Sequence, residues 1–198
     1  PLYGLAFSLV YVLGGMLVTW ALTAKGQLWW TLPASAGFPI LGPFIACGFY
    51  EISRRLEVGE RLDLGQIAGV ILRQKDRQIP SMAAVIVIFF LFWNFLAHMI
   101  FALFLGTASL TNVTSSLEVF ATARGLTMLA VGTGVGAVFA TLLFSLTVVS
   151  LPLLLDRDVD FVTAMLTSFG LVRENPVVML AWGLLIGASL FLAMLPGF

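Results

Sequence analysis

His98 is the chain's only histidine, and it follows Asn94 by four residues within a long uncharged stretch that also holds Trp93. On a helix, residues four apart share a face, so the imidazole and the amide would point the same way. If that stretch lies in a membrane, two readings are open. One is a proton-exchanging site, since an ionisable group at membrane depth is costly unless it is used; the other is a neutral hydrogen-bonding pair that ties helices together. The packing reading asks less of the chain and is the one we carry forward. A haem with two histidine ligands cannot be built from one histidine, and Met99 is adjacent to His98, so the two point in different directions. Zinc or di-iron chemistry is supported still less, because there is no second histidine, Cys47 lies in another stretch and no carboxylate falls inside a span with ligand spacing. No cofactor, metal or catalytic residue is therefore expected.

Two charged clusters are the other candidates: Glu51, Arg54 and Arg55, and then Asp156, Arg157, Asp158 and Asp160. A functional reading makes them a site for an ion or a lipid headgroup, facing each other across one side of a bundle. A structural reading makes them solvated elbows with local pairs such as Glu51 with Arg55 at i,i+4. The density of charge at a membrane edge favours elbows. No phosphate loop, nucleophile elbow, metalloprotease motif or dinucleotide fingerprint occurs.

The elements that must position these residues follow from composition. The chain has 198 residues, 60% of them hydrophobic and only 10% charged, with ten cations, ten carboxylates and a net charge of zero. That leaves too little polar surface for a soluble domain, no partner for Cys47 in a disulfide scaffold, and no basic excess for nucleic acid. The pattern is that of an integral membrane protein: an all-α, polytopic transmembrane bundle in a single domain, 1–198. Five uncharged runs give spans at about 4–24, 28–50, 80–105, 125–155 and 176–195. A 21-residue helix rises about 31 Å, enough for a hydrocarbon core of about 30 Å. Pro33, Pro39 and Pro43 should kink or break the second span, and Pro152 should bend the long fourth one near its charged end. PGF at the end of the sequence reads as a turn, so a sixth span is expected in the native chain.

Eight of the ten cations fall in the segments 51–79 and 156–175, against Lys25 and Arg124 elsewhere. The positive-inside rule then places both segments and the N-terminus in the cytoplasm and the 106–124 connection outside. Trp20, Trp29 and Trp30 would sit at the outer interface. The connection contains Asn112-Val113-Thr114, a glycosylation acceptor pattern in a eukaryotic setting, and is expected to lie flat on the outer surface.

The two charged segments are built alike. Each runs from an elbow through an acidic cap, Asp63 with Gln66 or Asp160, into a helix-length amphipathic stretch, and then to a proline that opens the next span. Leu64, Ile67 and Ile71 would share the apolar face of the first stretch, and Phe161, Met165 and Phe169 that of the second. The offset is 97 residues from Leu64 to Phe161 and 96 from Pro80 to Pro176. This suggests a parallel internal duplication with two cytoplasmic interfacial helices, near 64–73 and 161–172. Gly132 with Gly136, and Gly183 with Gly187, form G-x-x-x-G pairs that would let partner helices approach closely.

GPFIACGFYEISRRLEVGE (42–60) and SLPLLLDRDVDFVTAMLTSFGLVRENP (150–176) resemble a family of uncharacterised integral inner-membrane proteins of proteobacteria, a domain of unknown function, over nearly the whole chain. The resemblance implies a helical membrane fold and inner-membrane location and carries no catalytic residues. The expected function is a non-catalytic accessory, scaffold or assembly subunit of a larger bacterial inner-membrane complex, respiratory or photosynthetic, with that complex and lipids as partners. The alternative is a small-solute or ion permease whose site lies at the proline-broken second span. Single cysteines in place of Val58 and Ser115, with Cys47 replaced by Ala, test the topology: an impermeant thiol reagent applied from outside should label position 115 and spare position 58, and external labelling at 58 overturns the orientation.

Overall fold

The computed structural model describes residues 2–24, 37–106 and 120–194, and among these it is helical with no strand. Trp29, Trp30, Pro33, the glycosylation pattern and the final PGF lie outside the described residues. The helices are α1 (Leu2–Ala24), α2 (Gly37–Glu57), α3 (Leu64–Arg73), α4 (Ile79–Leu105), α5 (Ala123–Thr147), α6 (Ser150–Asp156), α7 (Phe161–Glu174) and α8 (Pro176–Met194), with a short 3-10 turn at Gln74–Asp76 after α3. Among the described residues, two stretches are long and apolar enough to cross a membrane without further argument, Ile79–Leu105 and Ala123–Asp156. A third candidate is the pair α7 and α8, bent by 106° between them.

Local chemistry explains where the helices begin and end. Asp63 caps α3, its Oδ1 accepting from Gln66 N at 2.9 Å. Asp160 does the same for α7, accepting from Val162 N at 3.0 Å and Thr163 N at 2.9 Å. The Thr163 hydroxyl, ahead of these backbone donors, holds the Asp160 carboxyl below its ordinary range. Pro176 opens α8 at the position where its missing N–H is harmless. Pro152 acts at a distance: its ring clashes with the carbonyl four residues earlier, and the helical ladder breaks at Val148–Val149, between α5 and α6. The Val149 N–H released there donates to Ser168 Oγ at 3.1 Å. In the second expected span the outcome differs. Residues 37–57 stay one helix, with Pro39 in its first turn and Pro43 inside it and buried.

The chain forms two compact units. The first holds residues 1–88 and 147–168, where α2 packs on α1, α3 and α6. Its core is Cys47, Ile79, Met82, Leu154 and Ala164, with Phe44, Ile71, Ile86 and Phe161 against it. The apolar faces need two corrections. On α3, Ile67 is fully buried while Leu64 is exposed. On α7 the buried stripe is Ala164, Ser168 and Val172; Phe161 and Met165 only flank it and Phe169 is exposed. On α7 the smaller side chains are the buried ones, and the large aromatic and methionine side chains are left at the margins.

The second unit holds residues 89–146 and 169–198. Here α4 meets α5 through aromatic rings: Phe92 stacks on Phe139 at 5.8 Å, and Phe89 and Trp93 meet the same ring at 6.2 and 5.9 Å. The G-x-x-x-G pairs also serve the chain's own packing. A Cβ on Gly136 would lie 2.9 Å from the Trp93 ring, and one on Gly183 would lie 3.4 Å from Phe144, whereas nothing stands within 4 Å of Gly132 or Gly187. Within the chain, one glycine of each pair seats an aromatic ring instead of a neighbouring backbone. Hydroxyls along the spans return to their own helix, as in Thr127 to Ala123 O at 2.8 Å and Ser189 to Leu185 O at 2.7 Å, which satisfies them without water. Gly136→Ala should therefore destabilise the α4–α5 pair by about 1–3 kcal/mol, the range for overpacking, while Gly132→Ala leaves it unchanged within about 0.5 kcal/mol. Thermal unfolding of the two variants in detergent checks this contrast.

Candidate functional site

The first cluster is built on the buried stripe of α2. Pro43, Cys47, Gly48, Glu51, Ile52 and Arg55 recur at helical spacing and turn inward. This places a carboxylate and a guanidinium just beyond the apolar run, out of water. Glu51 and Arg55 side chains are 8% and 10% exposed, and Arg55 Nε donates to Glu51 Oε1 at 2.6 Å. Arg54, half exposed, closes a bidentate pair on the same carboxylate, with Nε to Oε2 and Nη2 to Oε1 both at 2.9 Å. A buried ion pair survives only when its remaining donors are satisfied. Arg55 Nη1 meets that demand by donating to Gln66 Oε1 at 2.8 Å and to Arg61 O at 3.2 Å.

The Glu51–Arg55 pair is thus not a solvated elbow. It is a buried tie from α2 to the 58–63 turn and to α3. The hydrogen bonds from Arg54, more than those from Arg55, hold the Glu51 carboxyl at about 2, against the opposing effect of burial. Gly59, at φ +72°, makes the turn that brings Glu60 N to Arg55 O at 2.8 Å.

The second cluster has the opposite character. Asp156, Arg157 and Asp158 are 77%, 73% and 98% exposed, and Asp156 and Arg157 approach each other only at 3.9 Å. The structure nevertheless brings it to the first cluster's side of the same unit. The Arg54 pKa is pushed up by Glu51 first, then by Glu60 and by Asp156. Asp158 Oδ1 accepts from Arg77 Nη2 at 2.7 Å, joining the two charged segments across 81 residues of sequence. Sequence reasoning missed Gln66 and Arg77 as members of this assembly. The Asp63–Gln66 capping pair forms through the Gln66 backbone N–H, and the Gln66 side chain in addition serves Arg55; its amide within reach of a charged turn is the available signal. For Arg77 the sequence carries no signal, since its partner is remote. Gln74, 4% exposed, has its Oε1 without a hydrogen-bond partner among the described residues.

His98 and Asn94 belong to the second unit. The imidazole is exposed on α4, with Nδ1 2.7 Å from Asn94 O; Asn94 is partly buried and its Nδ2 donates to Phe90 O at 2.8 Å. Neither is brought to the charged clusters by any described contact. Beside them, between α4 and α5, lies an open recess of about 310 Å³ lined by Trp93, Ala97, Ile100, Phe101, Met128, Leu129, Gly132, Thr133 and Gly136. Its lining carries no ionisable group. Among the described residues no group of three or more His, Cys, Asp or Glu converges on a metal position.

A model for a family of predicted integral membrane proteins, DUF2189, matches residues 31–156. The chain belongs to this family. The match takes in the whole 42–60 segment, including Glu51, Arg54 and Arg55, and reaches Asp156, so it covers less than the nearly full-length resemblance read from the sequence. No curated protein and no solved structure matches the chain.

The buried pair sets the acid behaviour. Glu51 is easier to ionise folded than unfolded, so its stabilisation is complete above the ordinary glutamate value of 4.5 and is lost as pH falls toward about 2. Glu51→Ala strands the buried Arg55 charge and should cost about 3 kcal/mol at pH 7, the lower end for breaking a buried pair. The melting temperature of Glu51→Gln should vary less than that of the native protein between pH 4.5 and pH 2, and equal acid sensitivity would refute the assignment.

Proposed function

We propose that this protein is a non-catalytic accessory, scaffold or assembly subunit of a larger complex in a bacterial inner membrane. The observation that supports it is how little of the spanning surface the chain uses for itself. In the spanning windows of α4 and α5 only 6% and 17% of residues are buried within the chain. On that unused surface, Gly134 is exposed and has open space where a side chain would stand, a place where another helix can pack closely. The permease reading draws on unwound backbone in the second span; the described part of that span, from residue 37 on, is helical through Pro39 and Pro43 and offers it no such site.

The orientation belongs to the same proposal: N-terminus and both charged segments in the cytoplasm, with α3 and α7 lying along the inner interface. Eight of ten cations in those segments support it. So does the 106° turn between α7 and α8, since a helix nearly perpendicular to a span lies in the membrane plane. Affinity purification from native membranes in mild detergent should recover foreign membrane subunits in stoichiometric amount, with a redox complex the expected source. A chain that purifies alone and drives solute uptake in proteoliposomes would defeat this reading.

A further inference from the structure

We propose that the recess between α4 and α5 binds the ring of an isoprenoid quinone, a flat apolar molecule that carries carbonyl oxygens on a hydrocarbon tail. Small residues leave the space for it. At one end Trp93 fills the gap between the helices, its ring against Phe139 and its benzo edge seated on Gly136. One turn further along, Ala97 lines one wall and Gly132 the other, and a Cβ on Gly132 would have nothing within 4 Å. About 310 Å³ remains, with Trp93 and Phe101 supplying aromatic surface. That is roughly ten times the ~30 Å³ a water takes in the liquid, room for a substituted six-membered ring but not for its tail. It falls at the small end of ligand pockets, which run from about 300 to 1,000 Å³.

Polar chemistry selects the occupant. Thr127, Ser145 and Ser189 return their hydroxyls to carbonyls of their own helices. Thr133, exposed and on the wall of the recess, departs from that pattern: among the described residues its hydroxyl has no partner, and neither has the indole N–H of Trp93. Both donors stand deep in the span. Trp93 is near the middle of the 27-residue α4, about 20 Å from either end, and Thr133 is ten residues, about 15 Å, from the start of α5. No water is present at that depth to accept from them.

The common lipids do not meet this demand. Ester oxygens of a phospholipid stay at the margins of a hydrocarbon core about 30 Å thick, and an acyl chain has no acceptor at all. A quinone carries its carbonyls into the core, and because the recess is open, the tail can remain in lipid. The lining has no ionisable group, so the site holds the ring without supplying the protons that its reduction consumes. This inference needs only that α4 and α5 span the membrane, and it stands whether or not the chain is an accessory subunit.

The experiment uses the full chain in phosphatidylcholine vesicles, with Trp20, Trp29, Trp30 and Trp182 replaced by Phe so that Trp93 alone fluoresces. Decylubiquinone should quench this emission to a saturating limit. A chain that keeps only Trp20, exposed on α1, reports collisions with free quinone and should be quenched in simple proportion to its concentration. Gly132→Leu fills the recess from a position with open space and should remove the saturation. Thr133→Val keeps the shape and deletes the hydroxyl; an intramembrane hydrogen bond is worth roughly threefold to thirtyfold, and half-saturation should rise by that factor. Dodecylbenzene, apolar and without oxygen, should not displace the quinone. Helical circular dichroism verifies that each variant is folded, and the isosteric Thr133→Val serves as the test should Gly132→Leu fail to fold. The proposal is overturned by Trp93 quenching that matches Trp20 in form, by native binding in folded Gly132→Leu or in Thr133→Val, or by dodecylbenzene competing as well as the quinone, which would make the recess a seat for any acyl chain.

Discussion

The Glu51 carboxylate, held between Arg54 and Arg55, is the interaction on which the first unit depends. Removing a carboxylate and a guanidinium from water is expensive, and the cost is offset only by complete hydrogen bonding. That requirement sets much of the surrounding geometry. Arg55 must reach Gln66 and Arg61 O, so α3 has to return against α2 within a short turn, and Gly59 at positive φ makes that turn possible. With α3 so placed, Ile67 and Ile71 are committed inward and the 3-10 turn leads directly to Ile79 and Met82 in the core. The charged elbow is in this sense the hinge pin of the unit, although its charges are few.

The exposed second cluster shows the same residue types under the opposite constraint. Asp156, Arg157 and Asp158 keep their water, make weak or exposed pairs, and contribute little individually. The Arg77–Asp158 bond matters more for where it lies than for its strength, because it joins two segments far apart in sequence. The repeated plan of elbow, aspartate cap, helix and proline is visible in both halves. Yet its two copies bury different things: a charged pair at the first elbow, and a stripe of alanine, serine and valine along the second helix.

In the second unit the constraint is the absence of water. Serine and threonine hydroxyls bond to their own helical carbonyls, aromatic rings fill the space that glycines leave, and most of the helical surface remains outward. A helix in lipid gains nothing from hiding apolar surface from water, so outward leucines need no explanation; outward polar groups do. His98 is such a group, and this is why it carries more information than the many exposed leucines around it.

By itself the sequence determined what is local. Run length and low charge established the helical membrane class, aspartates marked the starts of α3 and α7, and Pro152 and Pro176 marked the break after α5 and the start of α8, because caps and proline sterics act within a turn of the residue. The i,i+4 pairing of Glu51 and Arg55 was legible for the same reason. Tertiary structure decided everything that needs a second surface. It turned the Glu51–Arg55 pair inward, gave the Gln66 side chain to Arg55 beside its backbone role in the cap, chose Ala164 and Ser168 over Phe169 as the buried edge of α7, kept α2 whole through Pro43, and set Trp93 against Gly136. Burial depends on which neighbour stands opposite a side chain, and that neighbour comes from a distant part of the chain whose arrival no local pattern encodes.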